Sequence, residues 1–249
     1  MTNDQKCVFF FTVLFLSSYL LAAETCPVEV KLLLSPPAIQ TVTTSFRFDH
    51  ETAGQVYFFD TAELDLLRQG AIIRVRQGAG NDLTVKVRVA ESNAHRDAPQ
   101  LHGQFPCERD RTSAEENTSY SVQRKYRTLH VPEMGTDIVA LLSLPQQKLL
   151  REARVSIDWA RVTRIASIRS TKWETTTQSP FRKLVLELWE WPAGSALELS
   201  TKVGPDAGQS AYGDLQKAVA MRSLSLSAIQ GTKTRMVLEA LAQRTSSPR

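Results

Sequence analysis

Arg74 and Arg76 are separated by a single residue, and so are Lys86 and Arg88, Glu29 and Lys31, Glu108 and Asp110, and Lys125 and Arg127; Glu198 and Lys202 lie four apart. In an extended strand, residues i, i+2 and i+4 point to one face. Each stretch therefore turns its charges to one side. Apolar neighbours turn to the other: Val30 and Leu32 around Lys31, Val75 beside Arg76, Val85 and Val87 around Lys86, Leu186 and Leu188 around Glu187. The basic set is Lys31, Arg74, Arg76, Lys86, Arg88, Lys125, Arg127 and Lys202; the acidic set is Glu29, Glu108, Asp110, Glu187 and Glu198. So many charges cannot form a dry core, because each buried ion costs several kcal/mol unless paired. They either face outward on a solvated sheet or line a wet tunnel. In a tunnel, lysine and arginine suit phosphate oxygens, and carboxylates suit a hard cation such as Mg²⁺ or Mn²⁺. Recurrence on so many strands, with the basic residues in excess, favours a lumen built for a polyanion.

The elements that must carry these residues read as strands and short helices. Val28 to Leu34 alternates as a strand, and Ser35-Pro36-Pro37 opens a helix-like stretch. Gln55 to Phe59 is β-rich. Asp60-Thr61-Ala62-Glu63 has capping-box spacing for a short helix through Leu67, which Gly70 stops. Ala71 to Gln77 and Asp82 to Val89 read as a hairpin around a Gly/Asn turn. Further strands are expected over Gln104 to Asp110, Ser119 to His130, Val162 to Trp173, Arg182 to Trp191 and Ala196 to Val203. Helical stretches are expected over Glu133 to Arg151, with an interruption at Pro145, and over Asp206 to Leu224 and Thr232 to Arg244. The class this implies is α+β: an eight-stranded antiparallel β-barrel with surrounding helices. Outer helices would cover the apolar faces. Trp159, Trp173, Trp189 and Trp191 are read as packing residues before ligand-stacking ones.

The 249 residues suit one large domain or two small ones. Between Lys6 and Glu24 the chain is uncharged and strongly apolar, ending in Leu20-Leu21-Ala22-Ala23. That pattern predicts a signal peptide over residues 1–23, cleaved near Ala23, with export of one domain over 24–249 that ends in helices. An uncleaved anchor is the alternative, although a spanning helix needs about 20 apolar residues. Beyond it, Cys26 and Cys107 are the only cysteines. They either form one disulfide or stay as two buried thiols. The four histidines are scattered, so no zinc-type cluster is expected. A net charge of +4 without a basic run or nucleic-acid motif gives no reason to expect specific nucleic-acid binding. No membrane association of the mature chain is expected. Asn117-Thr118-Ser119 is a glycosylation sequon.

The order Val-Glu29-Val-Lys31, Tyr57-Phe58-Phe59-Asp60-Thr61, Leu66-Leu67-Arg68-Gln69-Gly70, Arg74-Val-Arg76, Thr84-Val85-Lys86, Cys107-Glu108-Arg-Asp110, Leu186-Glu187-Leu188 and Glu198-Leu-Ser-Thr-Lys202 resembles the CYTH superfamily, the triphosphate tunnel metalloenzymes. The resemblance spans nearly the whole chain after residue 23. It implies an eight-stranded antiparallel tunnel that binds a triphosphate with a divalent metal, Mg²⁺ or Mn²⁺. It further implies phosphate binding by Lys31, Arg74, Arg76, Lys86, Arg127 and Lys202, and metal binding by Glu29, Glu108, Asp110, Glu187 and Glu198. The chain departs from the family's Glu-x-Glu-x-Lys strand at its first position, which is Pro27.

Three functions follow as expectations. The first is metal-dependent hydrolysis of a triphosphate, inorganic or organic, needing no covalent nucleophile. The second is a tunnel that binds a polyphosphate or nucleotide without hydrolysing it, which the missing carboxylate at Pro27 favours. The third, a lipocalin-like barrel for an apolar ligand, fits only if the charges face outward.

Overall fold

The computed structural model describes residues 26–35, 39–78, 80–89, 101–113, 115–128, 138–175 and 180–245. The expected signal peptide, together with Pro36, Pro37 and 129–137, lies outside them. Nine strands form one closed barrel: β1 (Val28–Leu34), β2 (His50–Asp60), β3 (Ala71–Gly78), β4 (Asp82–Val89), β5 (Cys107–Arg111), β6 (Glu116–Lys125), β7 (Thr163–Thr175), β8 (Leu184–Trp191) and β9 (Gly194–Val203). Around the ring their order is β1-β5-β6-β4-β3-β2-β7-β8-β9. Eight of the nine pairings are antiparallel; β1 and β5 run parallel.

This corrects the expected eight-stranded antiparallel ring. Alternation reports which face a side chain takes, whereas the closing pair depends on which edges meet, and β1 and β5 meet running the same way. Their parallel register, Glu29 opposite Asp110, is stapled at the start by a disulfide between Cys26 and Cys107 with Cα atoms 5.3 Å apart. Of the two alternatives for these cysteines, the bonded one holds.

Among the described residues five α-helices accompany the barrel: α1 (Ile39–Ser45), α2 (Asp65–Arg68), α3 (Leu144–Glu152), α4 (Gly208–Ala220) and α5 (Lys233–Thr245). The outer faces of β3 and β4 bury Ile73, Val75, Leu83, Val85 and Val87 beneath Leu149 and Leu150 of α3. Ser143 and Gln146 form the capping box that starts α3, with Pro145 in its first turn where no N–H is needed. The outer faces of β1, β8 and β9 bury Val30, Leu32, Leu186 and Leu199 against Val42 of α1 and Leu215 of α4. Outer helices thus cover the apolar side of the strands, as the alternation requires.

Inside, the lumen is divided. Val56 and Phe58 of β2, Ile72 of β3, Ala166 and Ile168 of β7 and Trp189 of β8 make an inward apolar set. Against it α5 packs Val237 and Leu238, so this helix stoppers the barrel. The rest of the lumen is polar. Among the described residues, no helix is long and apolar enough to cross a membrane.

Candidate functional site

The polar part of the lumen is a cavity of about 670 Å³, lined by nine lysine and arginine side chains and five glutamates. Strand pleating puts them there. On β1, Glu29 and Lys31 point inward while Val28 and Val30 face the outer core; β3 does the same with Arg74 and Arg76, and β4 with Lys86 and Arg88. On β9, Glu198 and Lys202 share this face.

Gly70 makes one of these placements possible. Its φ of +76° is left-handed, and a Cβ there would sit 2.5 Å from the backbone oxygen of Arg88. Arg88 N–H in turn donates to Gly70 O at 2.9 Å. Asp60, expected to start the following helix, does cap it: its carboxylate accepts from the N–H groups of Thr61, Leu66 and Leu67 at 2.7, 2.8 and 3.0 Å. The helix starts later than expected, at Asp65.

The five expected metal-side carboxylates fall into two groups. In the first, Glu29, Glu108 and Asp110 each offer an oxygen, all within 4.8 Å of one another. Lys31 bridges Glu29 at 2.9 Å and Asp110 at 2.5 Å, Lys86 reaches Asp110 at 2.7 Å, and Lys202 pairs with Glu108. Burial pushes the Glu29 carboxyl up, but Lys31 and Lys202 more than reverse this and lower it to about 2. Asp110, fully buried, is likewise lowered against its desolvation by Lys31 and Lys86. Glu108 goes the other way: burial and the nearby Glu29 raise it. An all-oxygen donor set of this kind fits a hard divalent cation.

The second group is Glu187 and Glu198. Lys233, at the start of α5, pairs with Glu187 and reaches Glu198 at 3.0 Å. Glu187 also accepts from Ser170 Oγ at 2.8 Å and Trp189 Nε1 at 2.7 Å.

The basic side is not fully matched. Arg76 lies 3.3 Å from Asp82, and Arg88 donates to Thr232 Oγ1 at 3.2 Å. Arg74 has no ion-pair partner among the described residues, and its Nε is buried without a hydrogen bond. Burial and the neighbouring Arg76 guanidinium lower Arg74 to about 10, so it stays charged at neutral pH.

Of the expected phosphate ligands, Lys31, Arg74, Arg76, Lys86 and Lys202 line the cavity. Arg127 does not; it is exposed in the bend after β6, where its carbonyl accepts from Asn81. Lys125 is also exposed and away from the lining. At the far side Glu174 pairs with Lys172 and, at 2.9 Å, with Lys183. Glu174, Lys183 and Lys233 were missed by sequence reasoning. For Lys233 a signal existed: it precedes Val237 by four positions, which puts a lysine on the apolar face of a helix. The four tryptophans pack in the apolar clusters, as expected.

No family model and no curated protein matches the chain by sequence. Solved structures do match in fold. A candidate adenylyl cyclase of Hippeastrum, described as having a dominant triphosphatase activity, aligns with a TM-score of 0.58 at 15% identity, over 85% of this chain and 94% of its own. A candidate adenylate cyclase of Bacillus halodurans aligns with a TM-score of 0.53 at 13% identity, over 85% and 97%. At such identities the likeness is one of architecture, and the architecture is the one the sequence resembles: the chain carries a CYTH-like barrel fold.

Proposed function

We propose that the lumen binds the triphosphate group of a small anionic molecule and hydrolyses it with the help of one divalent cation, Mg²⁺ or Mn²⁺. The observation that carries this is Arg74: a guanidinium inside the barrel beside that of Arg76, with no ion-pair partner within 4.0 Å among the described residues and a buried Nε that makes no hydrogen bond. A buried cation without a counter-ion costs several kcal/mol, which an incoming polyanion offsets. The surplus of basic over acidic lining residues points the same way. The Hippeastrum neighbour's triphosphatase activity supports the reading.

Arg74 and Arg76 would hold phosphate oxygens in bidentate fashion, as a guanidinium fork does. Lys31, Lys86 and Lys202 now spend their charge on Glu29, Asp110 and Glu108. On binding they would turn from carboxylate to phosphate and leave the three carboxylates to a cation. That cation, when bound, would polarise the terminal phosphate and orient the attacking water. Negative charge builds on the phosphoryl oxygens and the leaving oxygen in the transition state, and the fixed cations stabilise it without reorganising. A disulfide in the fold supports export to an oxidising compartment.

A second reading is a tunnel that binds polyphosphate or a nucleotide without cleaving it. Pro27 favours it: this exposed residue lines the cavity where the resembled strand has a carboxylate.

The two readings separate when inorganic triphosphate, ATP and thiamine triphosphate are each incubated with the protein and Mg²⁺ or Mn²⁺. Hydrolysis predicts phosphate release that falls about 10²-fold or more in both Arg76→Ala and Lys202→Ala. Binding without release supports the second reading. Neither binding nor release would sink both.

A further inference from the structure

Glu187 and Glu198 sit on adjacent strands as direct register partners, with both carboxylates in the cavity wall. Two such groups invite a cation, and one is already present. The Lys233 ammonium lies against both carboxylates and over the Trp189 ring, 4.6 Å from its centroid. Its side chain is 9% exposed.

Lys233 is held in this place from several sides. The chain ahead of α5 is laced to the end of β1: Ser35 N–H donates to Ser225 O at 2.9 Å and Ser227 N–H to Leu33 O at 2.8 Å. The Gln230 side chain accepts from Leu33 N–H at 3.1 Å and donates to Leu33 O at 2.7 Å. Behind Lys233, Val237 and Leu238 anchor the helix in the apolar part of the lumen. A lysine on a free loop could leave its carboxylates; this one is pinned before and after.

Glu187 is equally committed. Its Oε1 accepts from both Ser170 and Trp189, and its Oε2 from Lys233. What the pair still offers a cation, Glu187 Oε2 and the Glu198 carboxylate, is where the Lys233 ammonium sits. The group formed by Glu29, Glu108 and Asp110 brings a third carboxylate, and one of its lysines, Lys202, which pairs with Glu108, is a largely exposed side chain.

We propose that Lys233 is the resident cation of Glu187 and Glu198, taking the place a divalent ion would occupy there, so that the tunnel loads a single divalent cation at Glu29, Glu108 and Asp110. The proposal rests on the reading of the lumen as a metal–triphosphate site. It assigns Glu187 and Glu198 to positioning Lys233, and it makes α5 a chemical part of the lumen as well as its stopper.

The test counts bound Mn²⁺ per chain, from the loss of the free-ion EPR signal, with Mn²⁺ alone as the probe. Wild-type protein is expected to hold one ion, Glu108→Gln none, and Lys233→Arg one. Lys233→Met is expected to gain one ion over its parent, in the wild-type and the Glu108→Gln backgrounds alike. A folded Lys233→Met that gains nothing overturns the proposal. Should Lys233→Met fail to fold, wild type and Glu187→Gln decide: equal counts support the proposal, and a count that drops on Glu187→Gln overturns it. Failure of the underlying reading looks different. Wild type then binds no Mn²⁺ and Glu108→Gln changes nothing, while the gain in Lys233→Met still reports on Lys233.

Discussion

Glu29 and Asp110 stand opposite one another across β1 and β5, and the Lys31 ammonium bridges them at 2.9 and 2.5 Å. This is the parallel pair of the barrel, its two strands 81 residues apart at the Cys26–Cys107 bond. No short turn can set such a register. The disulfide closes a loop whose entropy in the unfolded chain is worth about 4–5 kcal/mol. Cys26→Ser with Cys107→Ser should lower unfolding stability by roughly 2–5 kcal/mol, measured by urea titration, and should weaken Mn²⁺ binding because Glu29 and Asp110 lose their register. Unchanged stability would mean the strand pairing holds itself.

Arg74 sets up a conflict between stability and binding. Its charge is inside the barrel with no ion-pair partner among the described residues, so the empty tunnel carries a cost. Arg74→Met should raise the stability of the ligand-free protein by on the order of 1–3 kcal/mol. The same substitution should remove most of the thermal stabilisation that inorganic triphosphate confers on wild type. A variant that is less stable, yet still stabilised by triphosphate, would show that Arg74 does not face the anion.

The alternation of charge and apolar residues made most of the barrel legible. Val28–Leu34 and Asp82–Val89 are strands with the expected bounds, and their inward residues are the expected Glu29, Lys31, Lys86 and Arg88. The first half of β2 was not legible, since His50 to Gly54 is polar and small and is a strand only because β7 pairs along its whole length. Nor was Arg127, which continues the spacing of Lys125 past the end of β6 into a bend. Spacing carries a side chain to the lumen only while the strand lasts. Lys233 was hidden for a different reason. Strand periodicity says nothing of a helix that enters the lumen from the C-terminal side, and the partners of Lys233 lie 46 and 35 positions earlier in the chain.

Acid should attack this network first. Glu29 is lowered to about 2, and Asp110 and Glu187 are also held below their ordinary values by lysines that outweigh the cost of burial. For carboxylates lowered by folding, the stability they contribute is present above their unfolded values of about 4 and is lost as pH falls through the folded ones. Glu108, raised by burial and by Glu29, takes up its proton earlier and offsets a part of that loss. The urea midpoint should therefore stay nearly level from pH 7 to about 5 and fall steeply between about 4.5 and 2. In Lys31→Met the fall should begin at higher pH, since Glu29 and Asp110 lose the cation they share. A midpoint that holds level to pH 3 in wild type would remove the network from the stability of the fold.

Pro27 offers a test of what limits catalysis. It is exposed, lines the cavity and precedes Glu29 by two positions. Its carbonyl accepts from Arg109 N–H at 2.9 Å, a bond that any residue there can keep. Proline has no N–H to lose, so Pro27→Glu costs the backbone nothing in hydrogen bonds and adds a carboxylate on the side of Glu29. A fourth oxygen ligand should tighten Mn²⁺ on the order of tenfold, read from EPR titration. Phosphate release from inorganic triphosphate should rise with it if cation affinity limits the reaction. Tighter Mn²⁺ with no release in either form would favour the binding reading, because the missing ligand would then not be what keeps the tunnel from hydrolysis. No change in Mn²⁺ affinity would place the cation away from the start of β1.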